Sequence, residues 1–174
     1  MRENLSGSGA HLPGRTVIMS KIDEIYMSEA LKEAEKAIQE DEVPVGCVVV
    51  RERRVIARSH NQVERLKDPT AHAEMIAITQ AANYLGSKWL SEVSIYVTIE
   101  PCSMCAGAFV LARIERLVYW ADDPRTGACG SVVNIINNKK LNHRIEVKKG
   151  ILEEKCGSLL KDFFKKKRFV SIKT

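Results

Sequence analysis

No run of about 18 apolar residues occurs anywhere in the 174-residue chain, so the sequence offers no membrane-crossing helix. The residues ahead of Met19 lack the apolar h-region of a secretory signal. The five cysteines are an odd number and form no repeating framework, which excludes a small disulfide scaffold. These absences together lead us to expect reduced thiols in a cytoplasmic protein. There is no internal repeat and no sign of a second domain. The length fits one domain able to bury a core. The net charge of +5 permits an anionic partner without requiring one.

What is present reads as alternating helices and strands. Residues 1–19 are Ser/Gly-rich and aperiodic, and are expected to be a flexible leader or extension before a domain spanning 20–174. From Ile22 to about Gln39, apolar residues recur at helical spacing: Ile22, Ile25, Tyr26, Ala30, Ala34, Ala37 and Ile38. Pro44 and Gly46 then break into VGCVVV, a run suited to a buried strand, and RVIARS pairs with it as a hairpin. A helix follows DPTAH and stops at Gly86. Next come the strand VSIYVTIE, a helix from MCAGAFVLARI and the strand RLVYWA. A Gly-rich loop with a short helical stretch leads to RIEVKKG, and an amphipathic helix closes the chain. Helices interleaved with strands predict a layered α/β domain.

PCSMCAGAF places Cys102 and Cys105 at a strand-to-helix seam. Such a pair can be redox-active, two buried small hydrophobes, or half of a metal site. Cys47, Cys129 and Cys156 supply no second close pair. Cys47 falls mid-strand and reads as core, and Cys156 as buried in the last helix. A third ligand with one position left open would make a catalytic zinc site. His72 in TAHAE, at the start of the other marked helix, is the candidate. A histidine there is also an ordinary polar residue of a helix start. Glu74 is two residues on. Residues i and i+2 do not share a helix face, so Glu74 is expected beside a zinc-bound water rather than on the ion. Both helix N-termini would favour thiolate, the form that binds zinc. H-x-E followed by P-C-x-x-C is the pattern of zinc nucleobase deaminases.

The chain resembles the bacterial tRNA-specific adenosine deaminases, within the cytidine deaminase-like superfamily, from about Ile22 to Arg168. EVPVGCVVV, HNQVERLKDPTAHAE, EPCSMCAGA, DPRTGACGS, NHRIEV and LLKDFFKKKR carry the resemblance. It implies a three-layer α-β-α fold with a five-stranded mixed sheet, a homodimer, and conversion of the wobble adenosine of a tRNA, an arginine tRNA, to inosine. In this family pattern His72, Cys102 and Cys105 hold Zn2+ and Glu74 shuttles protons. Asn61 hydrogen-bonds the base, the Ala73 amide makes a second contact, and Val45 belongs to the pocket wall. The loop at Asp122–Asp123–Pro124 resembles the family's substrate loop. Trp120 and Asp122 depart from the commoner residues there.

Phe163 and Phe164 precede Lys165, Lys166, Lys167 and Arg168. Aromatic faces stack on splayed loop bases and the cations meet phosphate, which fits tRNA. A core Phe under a solvated basic face is the structural alternative. Asn142 and His143 either contact RNA or cap a strand. Two other functions share the motif: a free-base or nucleoside deaminase such as guanine deaminase, and a non-catalytic zinc-stabilised RNA-binding module.

Overall fold

The computed structural model describes residues 13–150, with side chains from Lys21 onward. Element order is α1 (Pro13–Gln39), β1 (Gly46–Arg51), β2 (Arg54–His60), α2 (Val63–Leu66), α3 (Ala73–Leu85), β3 (Val93–Ile99), α4 (Ser103–Ala112), β4 (Arg116–Ala121) and β5 (Glu146–Lys149). The expected C-terminal helix, with Cys156 and the Phe163–Arg168 cluster, lies outside the described residues.

The sheet has five strands in the order β2-β1-β3-β4-β5. β1 runs antiparallel to β2 and β3, whereas β3, β4 and β5 are mutually parallel. It is therefore the expected mixed sheet, and helices cover both faces. Strand periodicity decides which residues meet which helix. Cys47, Val49, Ile95, Val97, Leu117 and Tyr119 join the cluster under α3 and α4. Val48, Val50, Tyr96, Val118 and Trp120 face α1 through Met27 and Ala30. Strands buried on both sides read as near-continuous apolar runs, which is why VGCVVV and RLVYWA are legible.

α1 packs through Met27, Ala30, Ala34 and Ala37, all buried. Ile25, placed on the apolar stripe by spacing, is 61% exposed, and Met27 takes its place. The alanines let α1 lie directly on the start of β1. A Cβ at Gly46 would collide with the backbone of Ala30 and Ala34. One buried carboxylate pins the same helix. Asp23 accepts both guanidinium nitrogens of Arg116 at 2.7 and 2.9 Å, the Lys148 ammonium at 2.7 Å and the Tyr96 hydroxyl at 2.8 Å.

Three features differ from the expectation. α1 begins at Pro13, ahead of Ile22, so its first turns come from the end of the segment read as leader. The short α2 carries no periodic signal of its own. The loop between β4 and β5 contains turns and isolated bridges but no helix, because side-chain carboxylates take up its amides.

Candidate metal centre

Two helix starts converge beyond the carboxyl end of β3. Cys102 precedes α4 with extended backbone, φ −71° and ψ 175°. His72 precedes α3 in the same way, φ −67° and ψ 149°. Neither side chain caps its own helix. Both are left to point past helix ends whose unpaired N–H groups make a positive potential. Upstream, Asp68 fixes the approach to His72: its carboxylate accepts the Thr70 amide at 2.8 Å and the Thr70 hydroxyl at 2.7 Å. The Ser59 hydroxyl donates to the Ala73 carbonyl at 2.6 Å and ties the start of α3 to β2.

His72 Nδ1 lies 3.7 Å from Cys102 Sγ and 3.6 Å from Cys105 Sγ, and the two sulfurs are 3.7 Å apart. In a tetrahedral zinc site, with Zn–S about 2.3 Å and Zn–N about 2.0–2.1 Å, two sulfurs stand about 3.8 Å apart and sulfur and nitrogen about 3.6 Å. The three donors already occupy one face of such a tetrahedron. His72, Cys102 and Cys105 thus form a group able to bind a metal, and no fourth ligand joins them among the described residues.

The electrostatics fit that role. Hydrogen bonds from Cys105 and His72 pull the Cys102 thiol down to about 4 against the effect of burial. Cys105 is pushed up by sharing its proton with Cys102 and by burial. His72 is raised by its contact with Cys102. A bound metal takes such donors in their deprotonated form and releases the protons. Glu74, in the first turn of α3, is not part of the donor triangle. It is buried at 3% exposure, and burial pushes its carboxyl up.

Around this centre the sequence-assigned residues divide. Asn61 is buried and donates Nδ2 to Glu42 Oε2 at 3.0 Å. Its backbone N–H bonds the Val45 carbonyl at 3.0 Å, so Val45 and Asn61 are neighbours. Ala73 is the first residue of α3, where the amide has no intrahelical acceptor. Asp123 is committed to its own loop: its carboxylate accepts the amides of Arg125 and Thr126 and the Thr126 hydroxyl. Asp122 pairs with Lys149 at 3.0 Å, and Trp120 is buried against the α1 face. His143 and Asn142 are not brought to the donor triangle. His143 Nε2 bonds the Ile114 carbonyl at 2.7 Å, just past the end of α4 opposite Cys102. Asn142 lines a cleft there with Leu111, Ile135 and Leu141.

Two buried glutamates have no place in the sequence-level assignment. Glu42 holds Asn61, and nothing in the acidic stretch before Pro44 marks it. Glu100, directly before Pro101–Cys102, accepts the amides of Asp123 at 3.0 Å, Cys129 at 2.8 Å and Ser131 at 3.1 Å, and the Ser131 hydroxyl. Its place in EPC is the available signal. Cys129, unassigned by sequence, is buried and its thiol is pushed up to about 12 by burial and by Glu100.

A family model described as MafB19-like deaminase matches residues 21–168. A tRNA-specific adenosine deaminase of Bacillus subtilis (strain 168) is 47% identical over 146 residues, covering 84% of this chain and 91% of the relative. One from Aquifex aeolicus (strain VF5) is 48% identical over 145 residues, covering 83% and 95%. A solved tRNA:A34 deaminase, studied for A-to-I editing at the wobble position of transfer RNA, superposes with a TM-score of 0.74 at 45% identity, covering 77% of this chain and 97% of its own.

Proposed function

The chain belongs to the tRNA-specific adenosine deaminase family, and from that premise we propose that it hydrolyses the wobble adenosine of a tRNA anticodon, in an arginine tRNA, to inosine. The observation that carries the reading is the donor triangle of His72, Cys102 and Cys105 with the buried Glu74 beside it. The metal is zinc, which suits a set of one imidazole and two thiols with an open position. When bound, it supplies a water of lowered pKa.

The chain's own residues do the rest. Glu74 accepts a proton from the water and passes it to N1 of adenine as the oxygen adds to C6. It then moves the second proton to the departing amine, so adenosine and water give inosine and ammonia. Asn61 and the Ala73 amide orient the base against the wall that includes Val45. The burial that raises Glu74 favours a carboxylate able to take and return a proton.

The anticodon loop meets the Asp123 loop and the C-terminal segment, where Phe163 and Phe164 stack on bases and Lys165, Lys166, Lys167 and Arg168 meet phosphate. Asn142 and His143, at the end of α4 away from Cys102, add RNA contacts of their own in a homodimer. Exposed Leu111, Val132, Val133 and Leu141 support an apolar contact between two copies. No helix among the described residues is long and apolar enough to cross a membrane. A tRNA substrate supports a cytoplasmic enzyme.

Purified protein, metal-loaded, should release ammonia and form inosine on an arginine anticodon stem-loop and leave free guanine untouched. Turnover of guanine with none on the stem-loop would make the chain a free-base deaminase. Binding of the stem-loop without turnover of either would leave only an RNA-binding module.

A further inference from the structure

Glu42 is fully buried, yet no cationic side chain pairs with it among the described residues. The guanidinium of Arg65, whose backbone amide reaches Glu42, is turned to Glu40 instead, at 3.0 and 3.1 Å. Two N–H donors hold the carboxylate. Asn61 Nδ2 reaches Oε2 at 3.0 Å and the Arg65 backbone N–H reaches Oε1 at 2.7 Å. A buried carboxylate without a counter-ion is an expensive group to retain for packing alone. Its chemistry does one thing an apolar or amide side chain would not: it accepts on both oxygens.

That property decides which way the Asn61 carboxamide points. An amide offers a donor on one side and an acceptor on the other, and its surroundings choose. Facing a carboxylate, Asn61 must turn its NH2 inward. Its carbonyl oxygen makes no hydrogen bond among the described residues, and it is not among the sealed, unsatisfied buried atoms. We infer that Glu42 is a positioning residue: it locks Asn61 with Oδ1 as the group presented to the base, so that the pocket selects a base carrying a hydrogen-bond donor at that point. The inference rests on the deaminase reading and on Asn61 as a base contact.

The isosteric change Glu42→Gln inverts the arrangement. The single oxygen of the new carboxamide must serve the Arg65 amide, which leaves its NH2 facing Asn61. Asn61 then flips and presents its own NH2 to the pocket. On the stem-loop, E42Q should lower kcat/KM by about tenfold to a hundredfold, mostly through KM, with metal content unchanged. The decisive measurement is the cycle with N61A. If Glu42 acts through Asn61, E42Q adds nothing in the N61A background. Independent, additive losses overturn the inference, as does an E42Q enzyme with wild-type KM. Should E42Q fail to fold, N61D carries the same test, because it sets two carboxylates face to face. Its loss must then exceed that of N61A, and an equal or smaller loss refutes the proposal. An inactive wild-type enzyme on the stem-loop would instead condemn the functional reading, so the two failures are separable.

Discussion

Glu100→Gln keeps the shape of the side chain and removes its charge and its capacity to accept on both oxygens. Oε1 accepts the amides of Cys129 and Ser131, and Oε2 accepts the Asp123 amide and the Ser131 hydroxyl. A glutamine has one oxygen for these four donors. Its best placement keeps that oxygen on the two amides and turns NH2 toward Asp123 and the hydroxyl. The hydroxyl can rotate and accept, but the Asp123 N–H cannot. One orphaned amide costs about 1–3 kcal/mol, and weakening the two retained charge-assisted bonds adds about 1 kcal/mol each. Ser131 is exposed, so water recovers part of this, and about 2–4 kcal/mol is the net expectation. For a chain of this size that is a fall in Tm of about 5–15 °C. Repacking offers no escape, since a Cβ at Gly127 would already collide with the Glu100 carboxylate and the Asp123 carbonyl. Thermal unfolding of metal-loaded protein gives the first number, and amide hydrogen exchange across 123–131 shows where protection is lost. Glu92→Gln is the control: it breaks an ion pair with Arg51 that is 72% exposed at the glutamate, and should leave Tm almost unmoved. A Glu100→Gln protein with unchanged Tm and unchanged protection over the loop would refute the reasoning.

Glu74→Gln should retain fold and metal, since the carboxylate is outside the donor triangle, while turnover falls by about 10²–10⁴-fold; loss of metal in that variant would reverse the assigned roles. Cys102→Ala should lose stoichiometric zinc by elemental analysis, and full occupancy would remove Cys102 from the ligand set. Asp23 carries the acid sensitivity of the fold. Burial opposes its ionisation, but hydrogen bonds from Arg116, Lys148 and Tyr96 together hold its carboxyl below the ordinary 3.8. A depressed folded-state value contributes stability above the unfolded value, and that contribution fades as pH falls through the folded one. Asp23→Asn should therefore be less stable at neutral pH and show a shallower decline below about pH 4 in denaturant titrations, whereas identical acid slopes would rule Asp23 out.

Much of the architecture is legible because its signals are local. β1 and β4 announce themselves as short apolar runs, and the His72 and Cys102 seams are marked by residues adjacent in sequence to the helices they start. The donor triangle is legible for the same reason: two ligands lie one turn apart, and the third stands two residues before Glu74. What escapes depends on contacts between distant segments. Ile25 and Met27 are both apolar, and only the direction from which β1 and β3 approach decides which is buried. The loop between β4 and β5 loses its expected helical stretch because Glu100, from another strand's end, accepts amides a helix would have used. Glu42 looks like solvated charge in an acidic stretch, since its partners lie 19 and 23 residues further along.

Three buried glutamates surround the candidate centre, and their surroundings give them different work. Glu42 and Glu100 are each met on both oxygens by N–H donors from elsewhere in the chain, so their charge is compensated by fixed dipoles. Such a group accepts on both oxygens from partners fixed elsewhere in the fold. It is well suited to hold a carboxamide or a loop in one orientation. Glu74 has no comparable set of donors among the described residues. Its own backbone amide, His72 and the two thiols are what act on its charge, and burial raises it. That is the condition for a carboxylate that can take up a proton and give it back. The same Glu-to-Gln change should therefore act through geometry at positions 42 and 100, disturbing KM and loop protection, and through chemistry at position 74, where fold and metal survive and the proton transfer does not.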